Sequence, residues 1–231
     1  MIRRPVEAAF ATVARWRAGR ALHTHGTVVD GELELDPHSA IGRVLGPPAA
    51  RRAVVRASKS IGTPNGHTDL LGLAVRIPAG DTAVDILFAS TGTNRLTRLL
   101  LAPSGHWWGR PYSTLLPYRV GGRAMLLGLD PVDGPPAGAD PADVAASVAS
   151  GPVELVVTEW PLTGRRRPAG RLRLDAVPEP GPPVTFDPVL NSLQALRPVR
   201  FLAGLREWAY TGSRRGRRAE DTDSIRLPGG P

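Results

Sequence analysis

Apolar residues recur along this chain mostly in short β-type runs. Thr27 to Leu35 (TVVDGELEL) begins β-branched and then alternates apolar with acidic positions, and Gly31 marks a turn or bulge within it. Ala53 to Ser58 is short and β-branched. Leu71 to Ile77 (LGLAVRI) and Thr82 to Ser90 (TAVDILFAS) are nearly continuous apolar runs, the pattern of strands buried on both faces. Tyr112 to Val120 and Arg123 to Leu129 flank Gly121-Gly122, a hairpin signal. Strands are therefore expected at 27–35, 53–58, 71–77, 82–90, 112–120, 123–129, 153–160 and 170–177.

Helical spacing is confined to a few segments. Residues 5–19 place Val6, Phe10, Val13 and Ala14 on one face. A short helix at 94–101 is stopped by Pro103. Pro141 to Ser150 is alanine-rich behind the N-cap candidate Asp140. Val199 to Arg214 carries Leu202, Leu205 and Ala209 on its apolar side. Residues 130–141 read as a loop, 178–198 as a proline-punctuated surface wrap, and 219–231 as a disordered tail. About eight antiparallel strands favour a closed barrel, because closure removes exposed edges. The expectation is an α+β fold: one barrel domain over residues 1–218 with flanking helices.

Composition narrows the chemistry. The 231 residues are 42% hydrophobic and 22% charged, as in ordinary globular domains. The sequence has no cysteine, which excludes disulfides, thiolate nucleophiles and Cys-ligated metal centres. The net charge is +8, nearly all from arginine, and Lys59 is the only lysine. Arg214, Arg215, Arg217 and Arg218 concentrate part of the surplus. Nucleic-acid binding through them is the least favoured function, since arginines at one helix end make a weak footprint. The first residues lack a signal-peptide apolar run, and no segment approaches ~20 apolar residues. A cytoplasmic location is expected.

Three segments offer chemistry. Arg20, His23, His25 and Gly26 lie at a helix-to-strand junction, where a cation and an imidazole could meet one ligand; on spacing alone, a surface histidine pair in a loop is the favoured reading. Arg56 and Ser58 sit in a β-branched strand, where a buried guanidinium needs a partner, although it could also face outward. Arg206 and Tyr210 are i and i+4 on a helix, with Arg217 beyond, so the guanidinium would favour the phenolate; the segment also fits an ordinary terminal helix.

Together, these segments resemble the catalase superfamily, in the form of a trimmed, actinobacterial-type member. Its R-x-x-H-x-x-G segment matches Arg20, His23 and Gly26. Its V-R-x-S segment matches Arg56 and Ser58, and D-x-x-G-x-A-V matches Asp69, Gly72, Ala74 and Val75. Its R-x-x-x-Y, with a further arginine seven residues on, matches Arg206, Tyr210 and Arg217. The stretch YSTLLPYRVGGRA is similar to the Y-S-x-x-P-Y-R-x-G of small relatives. The resemblance implies a catalase-like barrel holding haem b. It makes Tyr210 the iron ligand, Arg206 the group that holds it as phenolate, and Arg20, Arg56 and Arg217 the propionate partners. His23 is then the distal acid–base group, hydrogen-bonded by Ser58.

Two departures bear on activity. The family's distal asparagine follows a D-L-V-G-N-N strand, whereas Asp85 to Ser90 here (DILFAS) has none. The aromatic of V-R-F-S is Ala57. The expected function is therefore peroxidase-type or hydroperoxide-transforming, with weak true catalase activity, acting on a peroxide or small organic hydroperoxide. The alternative is a haem-free barrel that binds a small molecule.

Overall fold

The computed structural model describes residues 26–93, 97–162, 164–179, 184–188 and 190–199, all within one compact unit, Thr24–Val199. The expected helices at 5–19 and beyond Val199, the tail, and the full extent of the 1–218 domain lie outside the described residues.

Ten strands form one sheet: β1 (Gly26–Leu35), β2 (Ala50–Lys59), β3 (Leu71–Ala79), β4 (Thr82–Ser90), β5 (Tyr112–Ser113), β6 (Tyr118–Val120), β7 (Arg123–Asp133), β8 (Val153–Pro161), β9 (Arg167–Ala176) and β10 (Leu196–Pro198). The order β10-β6-β7-β5-β4-β3-β2-β1-β9-β8 closes through an additional β7–β8 pairing, and every pairing is antiparallel. The closed ring is therefore the eight strands β1–β5 and β7–β9, with β6 and β10 alongside.

Alternation sorts each strand into an inner and an outer face. Val29, Leu33 and Leu35 of β1 meet Val55 and Ala57 of β2, Leu71, Leu73 and Val75 of β3, and Ile86 and Phe88 of β4 in one apolar core. Two helices are described, α1 (Ala40–Leu45) and α2 (Pro141–Ser150). Ile41 and Leu45 of α1, and Val144 and Val148 of α2, belong to that same core. Ser39 caps α1 by accepting from the Gly42 N–H at 2.9 Å, and Glu159 of β8 accepts from the Ala40 N–H at 2.8 Å. Asp140 is the N-cap of α2, as the sequence implies. Its carboxylate is also committed to Lys59, whose Nζ lies 3.1 Å from Oδ1. Lys59 is nearly fully buried and donates to the Pro64 carbonyl as well, which ties the 60–68 loop to α2.

Four expectations are corrected. The run 112–120 is two strands, because Leu115 takes a φ of 57° and Pro117 has no N–H to give a ladder. β7 continues to Asp133, into the stretch read as a loop, because its partner β8 pairs with it that far. The proline-rich stretch supplies β10, whose short ladder with β6 adds to the sheet. The described part of 94–101 is a three-residue 3-10 turn at Thr97–Leu99. Gly31 is a bulge: the β1–β9 register shifts there, and a Cβ on it would sit 2.4 Å from the Arg173 carbonyl oxygen.

Candidate functional site

Because side chains fill the barrel and both helices pack into the same core, the ligand-accessible surface is the outer wall. That wall has two characters. Across β2, β1, β9 and β8 it is charged, with Arg52 opposite Glu32, Glu32 opposite Arg173, and Arg173 opposite Glu154. Pairs such as Arg52–Asp175 at 3.2 Å are half-exposed and add little stability. Across the ends of β2, β3 and β4 the wall is instead buried and built of small or apolar residues.

Two registered rows make this second region. One runs Val28–Arg56–Ala74–Leu87, the other Gly26–Ser58–Gly72–Ala89. Ala74, Leu87 and Ala89 are buried although they lie outside the barrel core. Gly72, Ala74 and Ala89 project almost nothing, so the rows form a low, flat floor. Arg56 crosses its edge over Gly26, with Nε 2.7 Å from where a Cβ would stand on that glycine. Burial lowers the Arg56 pKa, since the charged form loses hydration. Ser58 is buried on the same face two residues on, and its hydroxyl bonds to no described residue.

The structure thus brings Arg56 and Ser58 together with Gly72 and Ala74 of the D-x-x-G-x-A-V segment. Val75 turns inward to the core opposite Val55. Asp69 is off the floor. Its carboxylate is fully buried and accepts from the N–H groups of Ser60, Ile61, Gly62 and Thr63 and from the Thr63 hydroxyl, all between 2.8 and 3.2 Å. Burial pushes its carboxyl up, but the donors from Ile61, Thr63 and Leu70 outweigh that and hold it below the usual carboxylate range. Tyr112 and Tyr118 of the YSTLLPYRV stretch are core residues. The Tyr112 hydroxyl donates to the Trp107 carbonyl at 2.6 Å, and burial pushes its phenol up. Arg20, His23, His25, Arg206, Tyr210 and Arg217 lie outside the described residues.

Ala89 is on the floor, and Ser90 is spent elsewhere. The Ser90 hydroxyl accepts from the Leu71 N–H at 3.1 Å and donates to the Ala102 carbonyl at 2.8 Å.

Sequence reasoning missed a buried charge network beside the floor. Arg76 and Asp85 face each other on β3 and β4, and Asp85 also accepts from the Asp187 N–H and the Asn191 amide, each at 2.7 Å. Arg76 further donates to the Thr185 carbonyl and lies over the Phe186 ring, 4.9 Å from its centroid. The signal was present as a single arginine and a single aspartate inside two adjoining apolar runs. Among the described residues no cluster of three or more His, Asp or Glu side chains gathers as a metal site. No described helix is long and apolar enough to cross a membrane.

No family model matches the sequence, and no curated protein matches it. Solved structures do resemble the fold. A fungal catalase aligns with a TM-score of 0.58 at 14% identity, over 77% of this chain and 54% of its own. Catalase A from Saccharomyces cerevisiae aligns with a TM-score of 0.61 at 10% identity, over 80% of this chain and 58% of its own. The chain has the catalase-like barrel fold, and it spans little more than half the length of these enzymes.

Proposed function

We propose that this chain is a catalase-related haem b protein that reduces or rearranges peroxides, with an organic hydroperoxide as substrate. The observation that carries this reading is the flat floor of Gly72, Ala74 and Ala89, edged by the Arg56 guanidinium and the Ser58 hydroxyl. These residues suit a planar apolar macrocycle with acidic arms. The small side chains let a flat ring approach the strands closely, and a guanidinium fork matches a propionate carboxylate.

In this reading Arg56, Arg20 and Arg217 hold the propionates. Tyr210 would hold the iron, and Arg206 would keep it as phenolate. Bound haem supplies cleavage of the O–O bond. His23 would take the proton from the peroxide hydroxyl and return it to the departing oxygen. The filled barrel keeps substrate on the outer face.

A haem-free barrel that binds a small apolar or anionic molecule on the same floor is the second reading. It is favoured by Ala89 and the committed Ser90, which leave β4 without the family's peroxide-orienting amide.

Titration of the full chain with ferric haem, followed by absorption, separates the two. Saturable binding is expected, lost in Tyr210→Phe and weakened in Arg56→Leu, with His23→Ala retaining haem but losing its reaction with a hydroperoxide. Absence of saturable binding by the wild-type chain overturns the haem reading.

A further inference from the structure

The outer wall carries one more face, across β10, β6 and β7 to the far end of β8. Arg197, Arg119 and Ala124 stand in one registered row. Leu162, just past β8, joins it through its N–H to the Ala124 carbonyl. Leu126 and Trp160 form the next row. Their neighbours along the strands, Leu196, Tyr118, Val120, Met125 and Leu127, are core residues, so alternation turns these rows outward. Arg98 borders one small space with Leu126, Trp160 and Arg166, which brings the Thr97–Leu99 turn to the same face.

Two properties set this face apart. The first is exposed aliphatic surface. Leu99, Leu100 and Leu162 are 45%, 48% and 58% exposed. A single exposed leucine is ordinary, but three on one face beside an indole form a patch. The Trp160 indole N–H is already given to the Gly164 carbonyl at 2.9 Å, so its ring adds apolar surface.

The second property is charge of one sign. Residues 110–129 and 160–174 contain arginines and no acidic residue. Asp130 is taken up by Arg166 and Arg98. Arg119 is exposed and Arg197 half-buried, and among the described residues neither has an acidic partner. The wall over β2, β1 and β9 differs, because there arginines stand opposite acids.

Leucines exposed to water among unpaired cations suit the interface of an anionic bilayer. The leucines gain by entering the acyl boundary, and the arginine heads reach lipid phosphates. A nucleic acid fits less well, because bases stack on aromatic rings and the exposed surface here is leucine. We propose that this face docks on an anionic membrane surface, with Leu99, Leu100 and Leu162 entering the interface and Arg119 and Arg197 on the lipid phosphates. Docking of this kind depends on neither haem nor peroxide.

The test is co-sedimentation of the full chain with vesicles of phosphatidylcholine alone and of phosphatidylcholine mixed equally with phosphatidylglycerol. Binding is expected to the anionic vesicles and should weaken as salt is raised. Arg119→Gln and Arg197→Gln should each weaken it about fivefold. Leu162→Ser should weaken it by a similar factor, which charge alone does not explain. Thermal unfolding checks that each variant folds, and because all three positions lie on the surface, any folded one decides. Binding lost in a variant with Arg214, Arg215 and Arg218 changed to Gln, yet unchanged in the wall variants, overturns the proposal. So does absence of binding to anionic vesicles, or tighter binding of a single-stranded oligonucleotide with Leu162→Ser unchanged.

Discussion

The Arg76 guanidinium meets the Asp85 carboxylate at two points, Nε to Oδ1 and Nη2 to Oδ2, each at 2.8 Å. Asp85 is fully buried, and Arg76 is a quarter exposed. Across these two residues the outer wall of β3 and β4 is joined to the segment around Asp187 and Asn191, which leads toward β10.

Removing the acid should therefore cost more than a surface pair would. Asp85→Ala leaves Arg76, the Asp187 N–H and the Asn191 amide without their acceptor. A loss of about 3 kcal/mol is expected, read as a lower urea midpoint. Arg52→Ala, which breaks the exposed pair with Asp175, should change stability by under about 1 kcal/mol in the same measurement.

Asp69 predicts a pH dependence. Its folded-state pKa lies below the ordinary value of 3.8, so the unfolded chain binds the proton more readily. Its contribution is complete above that ordinary value and is lost as pH falls through the lower folded value. Urea midpoints measured from pH 7 to pH 3 should show an acid limb that is shallower in Asp69→Asn. An unchanged limb would show that the loop donors of residues 60–63 do not hold the carboxylate.

Gly31 has no space for a side chain. Gly31→Ala drives a methyl group toward the Arg173 carbonyl, which is backbone and cannot swing aside. A loss of about 2 kcal/mol is expected by thermal or urea unfolding. Gly122→Ala tests a different effect. Its φ of 89° is the left-handed turn conformation, but a Cβ there would meet nothing within 4 Å, so only backbone strain of about 1 kcal/mol should appear.

Turnover of hydrogen peroxide should be low even if haem binds. Ala89 offers no polar group on the floor, and the Ser90 hydroxyl is already bonded on both sides. Loss of one preorganised polar contact typically costs on the order of 10²-fold. Oxygen evolution from the haem-loaded chain should fall that far short of a full catalase. Comparable rates would show that the missing amide matters less than the geometry implies.

Much of the barrel was legible in the sequence because strand formation is local. The β4 bounds, Thr82–Ser90, and the helix at Pro141–Ser150 follow directly from apolar runs and a proline-led N-terminus. Arg56 and Ser58, two apart, had to share a strand face whatever the sheet did. Which face that was, and that it adjoins Gly72, Ala74 and Ala89, depended on β2–β3–β4 pairing. Pairing is a non-local choice, made by closing the ring and filling its interior. The same holds for Asp85 with Asp187 and Asn191, which lie more than a hundred residues further on, so no spacing along the chain could bring them together. Residue types and alternation belonged to the sequence, whereas the juxtaposition of charges on the outer wall belonged to the register of a closed barrel.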